Sequence, residues 1–180
     1  MDKKTYKMTI AGCERELPLC EVSDDLDIAA FIMFGDVEVT IASARELLKK
    51  CPEFDIIVTA EAKGIPLGYE MARQSGKDYV VARKGLKVYM PEYVQVEVRS
   101  ITTLSVQRLY IGTDDINKIK GKRVIIVDDV ISTGESLIAL EQLVEKAGGN
   151  AVGKVTVLAE GDAANRDDII FLDKLPVFPK

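Results

Sequence analysis

The chain has 180 residues, no histidine, three cysteines and a formal net charge of −5, with 47% hydrophobic and 29% charged residues. This is enough chain for one well-cored globular domain. The composition excludes Ser-His-Asp triads and histidine metal sites, offers no apolar run near the ~20 residues of a membrane span, and argues against a dedicated nucleic-acid binder.

Met1-Asp2-Lys3-Lys4 leads into polar residues rather than a signal-peptide core. Cys13, Cys20 and Cys51 are an odd count without metal-ligand spacing, which fits a reducing cytoplasm. Residues 1–22 alternate in short pieces around Gly12 and Pro18, the pattern of an edge strand or hairpin. Ser23-Asp24-Asp25 reads as a helix start. Apolar residues at 37, 41, 44, 47 and 48 predict a helix over Val37 to Lys50. Phe54 to Thr59 reads as a buried strand, Ile65 to Gln74 as a helix with Pro66 in its first turn and Gly76 near its end, and Tyr79 to Ala82 as the next strand. Arg83 to Gly112 breaks this rhythm. Alternation at 93–98 and 104–110 predicts two antiparallel strands, either a lid over a site or a plain hairpin covering a sheet edge. Arg123 to Val127 and Lys154 to Leu158 are two more strands. Strands alternating with helices give an α/β fold with a mainly parallel, twisted sheet flanked by helices.

The most informative stretch is Val124-Ile125-Ile126-Val127-Asp128-Asp129-Val130-Ile131-Ser132-Thr133-Gly134-Glu135-Ser136. It reads as a doubly buried strand, an acidic pair where the strand should end, a small-residue loop and then a helix over 137–143. Ligands of parallel sheets bind at strand carboxyl ends. A helix N-terminus with added hydroxyls suits a phosphate dianion, and two carboxylates suit sugar hydroxyls, directly or through hydrated Mg²⁺. The residues also allow an ordinary strand followed by a helix capped by Ser132, Thr133 or Ser136, or a receiver-like phosphoacceptor Asp.

The same stretch resembles the phosphoribosyl-pyrophosphate (PRPP) signature of the type I phosphoribosyltransferases. Thr59-Ala60-Glu61-Ala62-Lys63-Gly64 is similar to that family's pyrophosphate loop, with Lys63 where Arg is usual; family members often carry a non-proline cis peptide there. Arg83-Lys84-Gly85-Leu86-Lys87 resembles the start of the flexible catalytic loop of the adenine-specific branch. The resemblance implies the type I phosphoribosyltransferase fold in a single domain over 1–180: a small hood and base-recognition segment over 1–36, a PRPP-binding core over 54–160 and a flexible β-hairpin loop over 85–106. It implies transfer of the phosphoribosyl group from PRPP to a free purine, adenine foremost, with guanine, hypoxanthine or xanthine enzymes and a non-catalytic PRPP-binding regulator as alternatives. The roles it implies are catalysis by Asp128, Asp129, Lys63 and Arg83, and 5′-phosphate binding by Ser132, Thr133, Gly134, Glu135 and Ser136. Pyrophosphate would be held by Glu61, Ala62, Lys63, Gly64, Arg83, Lys84 and Lys87, and Mg²⁺ by Asp128 and Asp129 through water or PRPP. The base would meet Met33, Phe34, Val130, Ile131 and Leu158. A cytoplasmic homodimer binding neither nucleic acid nor membrane completes the expectation.

Overall fold

The computed structural model describes residues 4–99 and 106–180. Strands β1 (Thr5–Ile10) and β2 (Cys13–Ser23) form a hairpin. Its turn residues Ala11 and Gly12 both have positive φ, 51° and 86°, the geometry that matches strand twist in a two-residue loop. The chain turns at Asp24-Asp25 into β3 (Leu26–Ala29). A helix start was expected there. Aspartates serve turns as well as caps, and residues 26–29 pair instead with β2 and with the last strand of the chain.

Helix α1 (Val37–Leu48) begins instead at Asp36, whose carboxylate accepts the Val39 N–H at 3.2 Å. Arg15 of β2 donates to Asp36 at 2.7 and 2.9 Å and to Glu38 at 2.7 Å, tying the hairpin to the helix start. Strand β4 (Ile56–Ala60) is buried along its whole length. Helix α2 (Ile65–Ser75) follows after four residues and stops at Gly76, left-handed at φ 68°. Strand β5 (Asp78–Ala82) precedes the excursion. Its arms, β6 (Tyr93–Arg99) and β7 (Val106–Gly112), pair antiparallel from Tyr93 opposite Gly112 to Arg99 opposite Val106. The rest of the expected flexible loop, 100–105, lies outside the described residues.

A short helix, α3 (Thr113–Ile119), was not foreseen. Strand β8 (Arg123–Ile131) leads to α4 (Glu135–Lys146) and β9 (Asn150–Glu160). A 3₁₀ turn over Gly161–Asn165, β10 (Ile170–Leu175) and β11 (Val177–Pro179) complete the chain. β8 runs four residues beyond Val127, so the acidic pair lies within the strand rather than after it. Asp128 pairs with Thr156, and Val130 and Ile131 pair with Leu158 and Ala159.

Five parallel strands form the central sheet in the order β10-β9-β8-β4-β5. Neighbouring residues serve opposite faces, as strand alternation requires. Val58 and Ile126 pack with Leu140 and Leu143 of α4 and with Val96 and Ile111 of the excursion. Ile57 and Ile125 pack with Leu47 of α1, Met71 of α2 and Ile10 of β1. A second, four-stranded sheet has the order β1-β2-β3-β11, with the last strand of the chain antiparallel to β3. The loops after β4, β5, β8 and β9 therefore leave one edge of the central sheet together.

Candidate functional site

That edge holds a cleft of about 360 Å³. Its walls are Ala60 to Lys63 after β4, Lys84 after β5, Leu109 of β7, Asp128 to Val130 of β8, and Ser132, Ser136 and Ala139 of the following loop and helix. A smaller hollow of about 50 Å³ continues from it between Asp128, Val130 and residues 131–137. A hollow of about 480 Å³ on the β1–β2 ribbon is larger. It is walled by solvated side chains such as the Lys7–Glu16 pair and gathers no convergent chemistry.

The acidic pair is the electrostatic centre. Asp129 is 1% exposed, and its Oδ2 has no hydrogen-bond donor among the described residues. Lys63 Nζ is 3.4 Å away, a charge contact rather than a hydrogen bond. Asp128 Oδ1 accepts the Asp129 backbone N–H at 2.9 Å. Burial, and next the Asp129 charge, push the Asp128 carboxyl up to about 7, while the Asp129 N–H and Lys63 pull it down.

Stability should report this shift. The fold retains a proton on Asp128 that the unfolded chain releases above the ordinary value of 3.8. A raised folded pKa means stability that is present at low pH and lost as pH rises toward the folded value. Without ligand or Mg²⁺, the melting temperature of the wild type should fall between pH 5 and pH 7.5 relative to that of Asp128→Asn. Glu160 and Asp173 are also raised, so the difference between the two proteins is the measured quantity. Parallel slopes for both would show that Asp128 ionises normally.

On the β4 side, Gly64 packs directly against the acidic strand. A Cβ on Gly64 would collide with Thr59 Oγ1 and lie 3.1 Å from Asp128 Oδ1 and 3.2 Å from Asp128 Cα. The Glu61–Ala62 peptide is cis. Glu61 joins this loop to the start of the excursion: its Oε2 accepts the Lys84 backbone N–H at 2.8 Å, and its Oε1 lies 2.9 Å from Arg83 Nε without hydrogen-bond alignment. Arg83 also pairs through its backbone with Tyr110 of β7, N–H to O in both directions at 2.8 and 2.9 Å. Lys84 reaches the cleft wall. Lys87 does not; it sits in a turn that accepts the Met90 N–H.

On the β8 side, Ser132, Thr133 and Ser136 are exposed around the hollow, and Glu135 lines it. Gly134, which has no side chain, is the N-cap residue of α4 at φ 81°. The hydroxyl residues expected as caps stand around the hollow instead of at the N-cap position. Arg166 faces Gly134 from outside; a Cβ there would lie 2.5 Å from Arg166 Nη1.

Two small-residue loops, a lysine, exposed hydroxyls and a buried acidic pair thus stand along one sheet edge. Residues 38–178 match the family model described as phosphoribosyl transferase domain. The chain belongs to the phosphoribosyltransferase family. It is 42% identical over 124 residues to a hypoxanthine/guanine phosphoribosyltransferase of Methanococcus voltae, 69% of this chain and 63% of that protein. It is 36% identical over 124 residues to an adenine phosphoribosyltransferase of Kosmotoga olearia, 69% of each. A match to the adenine phosphoribosyltransferase of Thermotoga petrophila, 42% identical, covers 56% of each chain. Matches to the first of these curated relatives thus span less than two thirds of their length. The crystal structure of an adenine phosphoribosyltransferase from Thermoanaerobacter pseudethanolicus superposes with a TM-score of 0.73 at 25% identity, covering 88% of this chain and 95% of that one. The fold is the type I phosphoribosyltransferase fold, with its parallel sheet flanked by helices.

The structure does not gather the five residues expected at the base. Val130 lines the cleft and Ile131 the small hollow, though Ile131 is buried. Leu158 has no exposed surface. It was placed at the strand end, but β9 continues two residues further, so it packs in the core. Met33 is 1% exposed and lines a separate apolar hollow with Val37, Ile41 and Tyr69, beside the half-exposed Phe34. Leu109, which lines the cleft, and Glu160, at the end of β9, went unread in the sequence. Leu109 sits on an alternating strand with nothing to mark its face. Glu160 is a lone acid past the expected end of its strand.

Proposed function

We propose that this protein is a purine phosphoribosyltransferase, nearest to the adenine type, which joins a free purine to PRPP and releases pyrophosphate. The observation that carries this reading is the buried acidic pair of β8 standing between two small-residue loops, one with Lys63 and the other with the hydroxyls of Ser132, Thr133 and Ser136. PRPP has matching charges at its two ends and hydroxyls between them. The adenine preference rests on the order of the motifs and on the similarity to adenine phosphoribosyltransferases.

Asp128 and Asp129 hold the ribose hydroxyls and stabilise positive charge developing at C1. Residues 132–136 fix the 5′-phosphate at the start of α4. Lys63, Arg83 and Lys84, with the backbone of residues 61–64, take the charge of the departing pyrophosphate. Mg²⁺ fits as a companion of PRPP. Two carboxylates, one with a buried unpartnered oxygen, are the hard donors this ion shares with water and substrate phosphates, whereas a full protein cage is not needed. When bound, it would neutralise phosphate charge. The excursion over 85–106 closes on the bound substrates and excludes water, while the segment over 1–36 serves as the hood.

The reading includes a homodimer. Val37, Ile41 and Tyr69 are exposed around one apolar hollow, and Phe34 is exposed next to its lining residues Met33 and Gly35, the kind of patch that a partner covers. The three unpaired cysteines suit a cytoplasmic location. No helix among the described residues is long and apolar enough to cross a membrane.

The test is pyrophosphate release from PRPP and Mg²⁺ with adenine, hypoxanthine, guanine and xanthine offered separately. Adenine should react fastest. A 6-oxo purine reacting fastest would overturn the adenine preference alone. PRPP binding without turnover of any base would favour the regulator. Amide exchange over residues 85–99 should slow on adding PRPP, Mg²⁺ and a base analogue; exchange already slow without them would favour the static hairpin.

A further inference from the structure

We propose that Glu160 is the base-selecting residue, its carboxylate accepting a hydrogen bond from an amino-bearing purine over the carboxyl end of β9. This rests on the phosphoribosyl-transfer reading and adds a specificity determinant to it.

The sheet order gives the direction of attack. β4 and β9 flank β8 on opposite sides. The loop after β4 takes the leaving pyrophosphate, and the end of β8 holds the ribose. A nucleophile displacing a group at a sugar C1 with inversion enters from the face opposite the leaving group. The purine therefore arrives from the β9 side. Ile131 of β8 pairs with Ala159, so Glu160 stands one residue further, level with Ser132, where the phosphate loop begins.

Glu160 is suited to this place. It is half-buried, and no donor among the described residues forms a hydrogen bond or ion pair with its carboxylate. Burial raises its pKa, and the charge of Lys63 opposes the shift. Its strand neighbour across the ladder is Leu175, which is buried. Leu158 and Met33, two of the residues expected at the base, are buried too, whereas the Glu160 carboxylate is only half-buried. A carboxylate accepts hydrogen bonds but cannot donate them when ionised. It pairs with an N–H of an amino-bearing ring edge and repels a carbonyl oxygen placed there. Sites built on such bonds discriminate strongly, because the wrong partner leaves buried polar groups unpaired.

Two variants test the assignment. Glu160→Gln can donate as well as accept, so the ratio of kcat/KM for adenine to that for hypoxanthine should fall at least ~10-fold, about 1.4 kcal/mol. Glu160→Leu should raise the KM for adenine by a similar factor. In both, the KM for PRPP should stay within about twofold of the wild type, which a general collapse of the site would not allow. Unchanged adenine KM and unchanged selectivity in both variants would overturn the proposal. If the wild type turns over no base, the transfer reading fails by itself, and Glu160 is then tested by equilibrium binding of AMP, IMP and ribose 5-phosphate. Weaker AMP binding in Glu160→Leu with unchanged ribose 5-phosphate binding supports the role. Equal AMP binding by the two proteins, or none by the wild type, overturns it.

Discussion

Replacing either carboxylate of the acidic pair by its amide should lower turnover efficiency with PRPP at least ~10²-fold, the scale of ~3 kcal/mol of lost transition-state stabilisation. Asp129→Asn should be the worse of the two. Its Oδ2 is buried without a hydrogen-bond donor among the described residues, and Lys63 meets its charge at 3.4 Å. An amide would remove the charge that attracts Mg²⁺–PRPP and leave Lys63 facing a dipole. Asp128→Asn keeps an oxygen able to accept the Asp129 N–H, the bond seen at 2.9 Å. That variant should fold as well as the wild type, and at pH 7.5 it should melt no lower, since it removes a repulsion within the pair. Steady-state rates with PRPP varied, alongside circular dichroism and melting curves, separate the chemical loss from misfolding. Near wild-type rates in both amide variants would sink the assignment of this pair to the ribose.

Gly64→Ala should be almost as damaging, though it changes no charge. The added methyl would collide with Thr59 Oγ1 and press within 3.1 Å of Asp128 Oδ1. Neither neighbour has room to move: Thr59 is fully buried in β4, and Asp128 is held in the β8 ladder. Overpacking of this kind costs about 1–3 kcal/mol. The expected result is a lower melting temperature and a roughly 10²-fold loss of turnover, because a displacement near 1 Å at reacting groups has that scale. Thr59→Ala removes the colliding hydroxyl, so the double variant should recover part of both losses. The non-additivity of a double-mutant cycle measures that contact. A single Gly64→Ala protein with wild-type rate and stability would mean that the loop does not rest on the acidic strand.

Much of this was written locally. Runs such as Ile56 to Val58 and Val124 to Val127 are apolar at every position, which suits a strand covered on both faces. The acidic pair and the loop after it follow in unbroken sequence, so their chemistry could be read before their positions were known. The cis bond at Glu61–Ala62 lies where the family resemblance placed one. Where helical and turn signals use the same residues, local reading failed, as at Ser23-Asp24-Asp25. Strand ends failed too. Asp128 and Asp129 look like a stop, but β8 carries them inside the ladder because β9 lies alongside to pair with residues 128, 130 and 131.

The sequence by itself determined the alternation of strands and helices, the parallel sheet and the run of strand, acidic pair and small-residue loop over residues 124–136, since hydrophobic period and turn chemistry are local properties. Only the tertiary structure decided which loops meet. It set β4 and β9 on opposite sides of β8, brought Lys63 to Asp129 across 66 positions of sequence, and buried Leu158 while leaving Glu160 half-buried at the strand end. It also closed the small sheet with β11, more than 140 residues after β3. Those outcomes depend on strand order, register and strand length, which are fixed by how the two apolar faces of the sheet are covered together. No single segment carries that information.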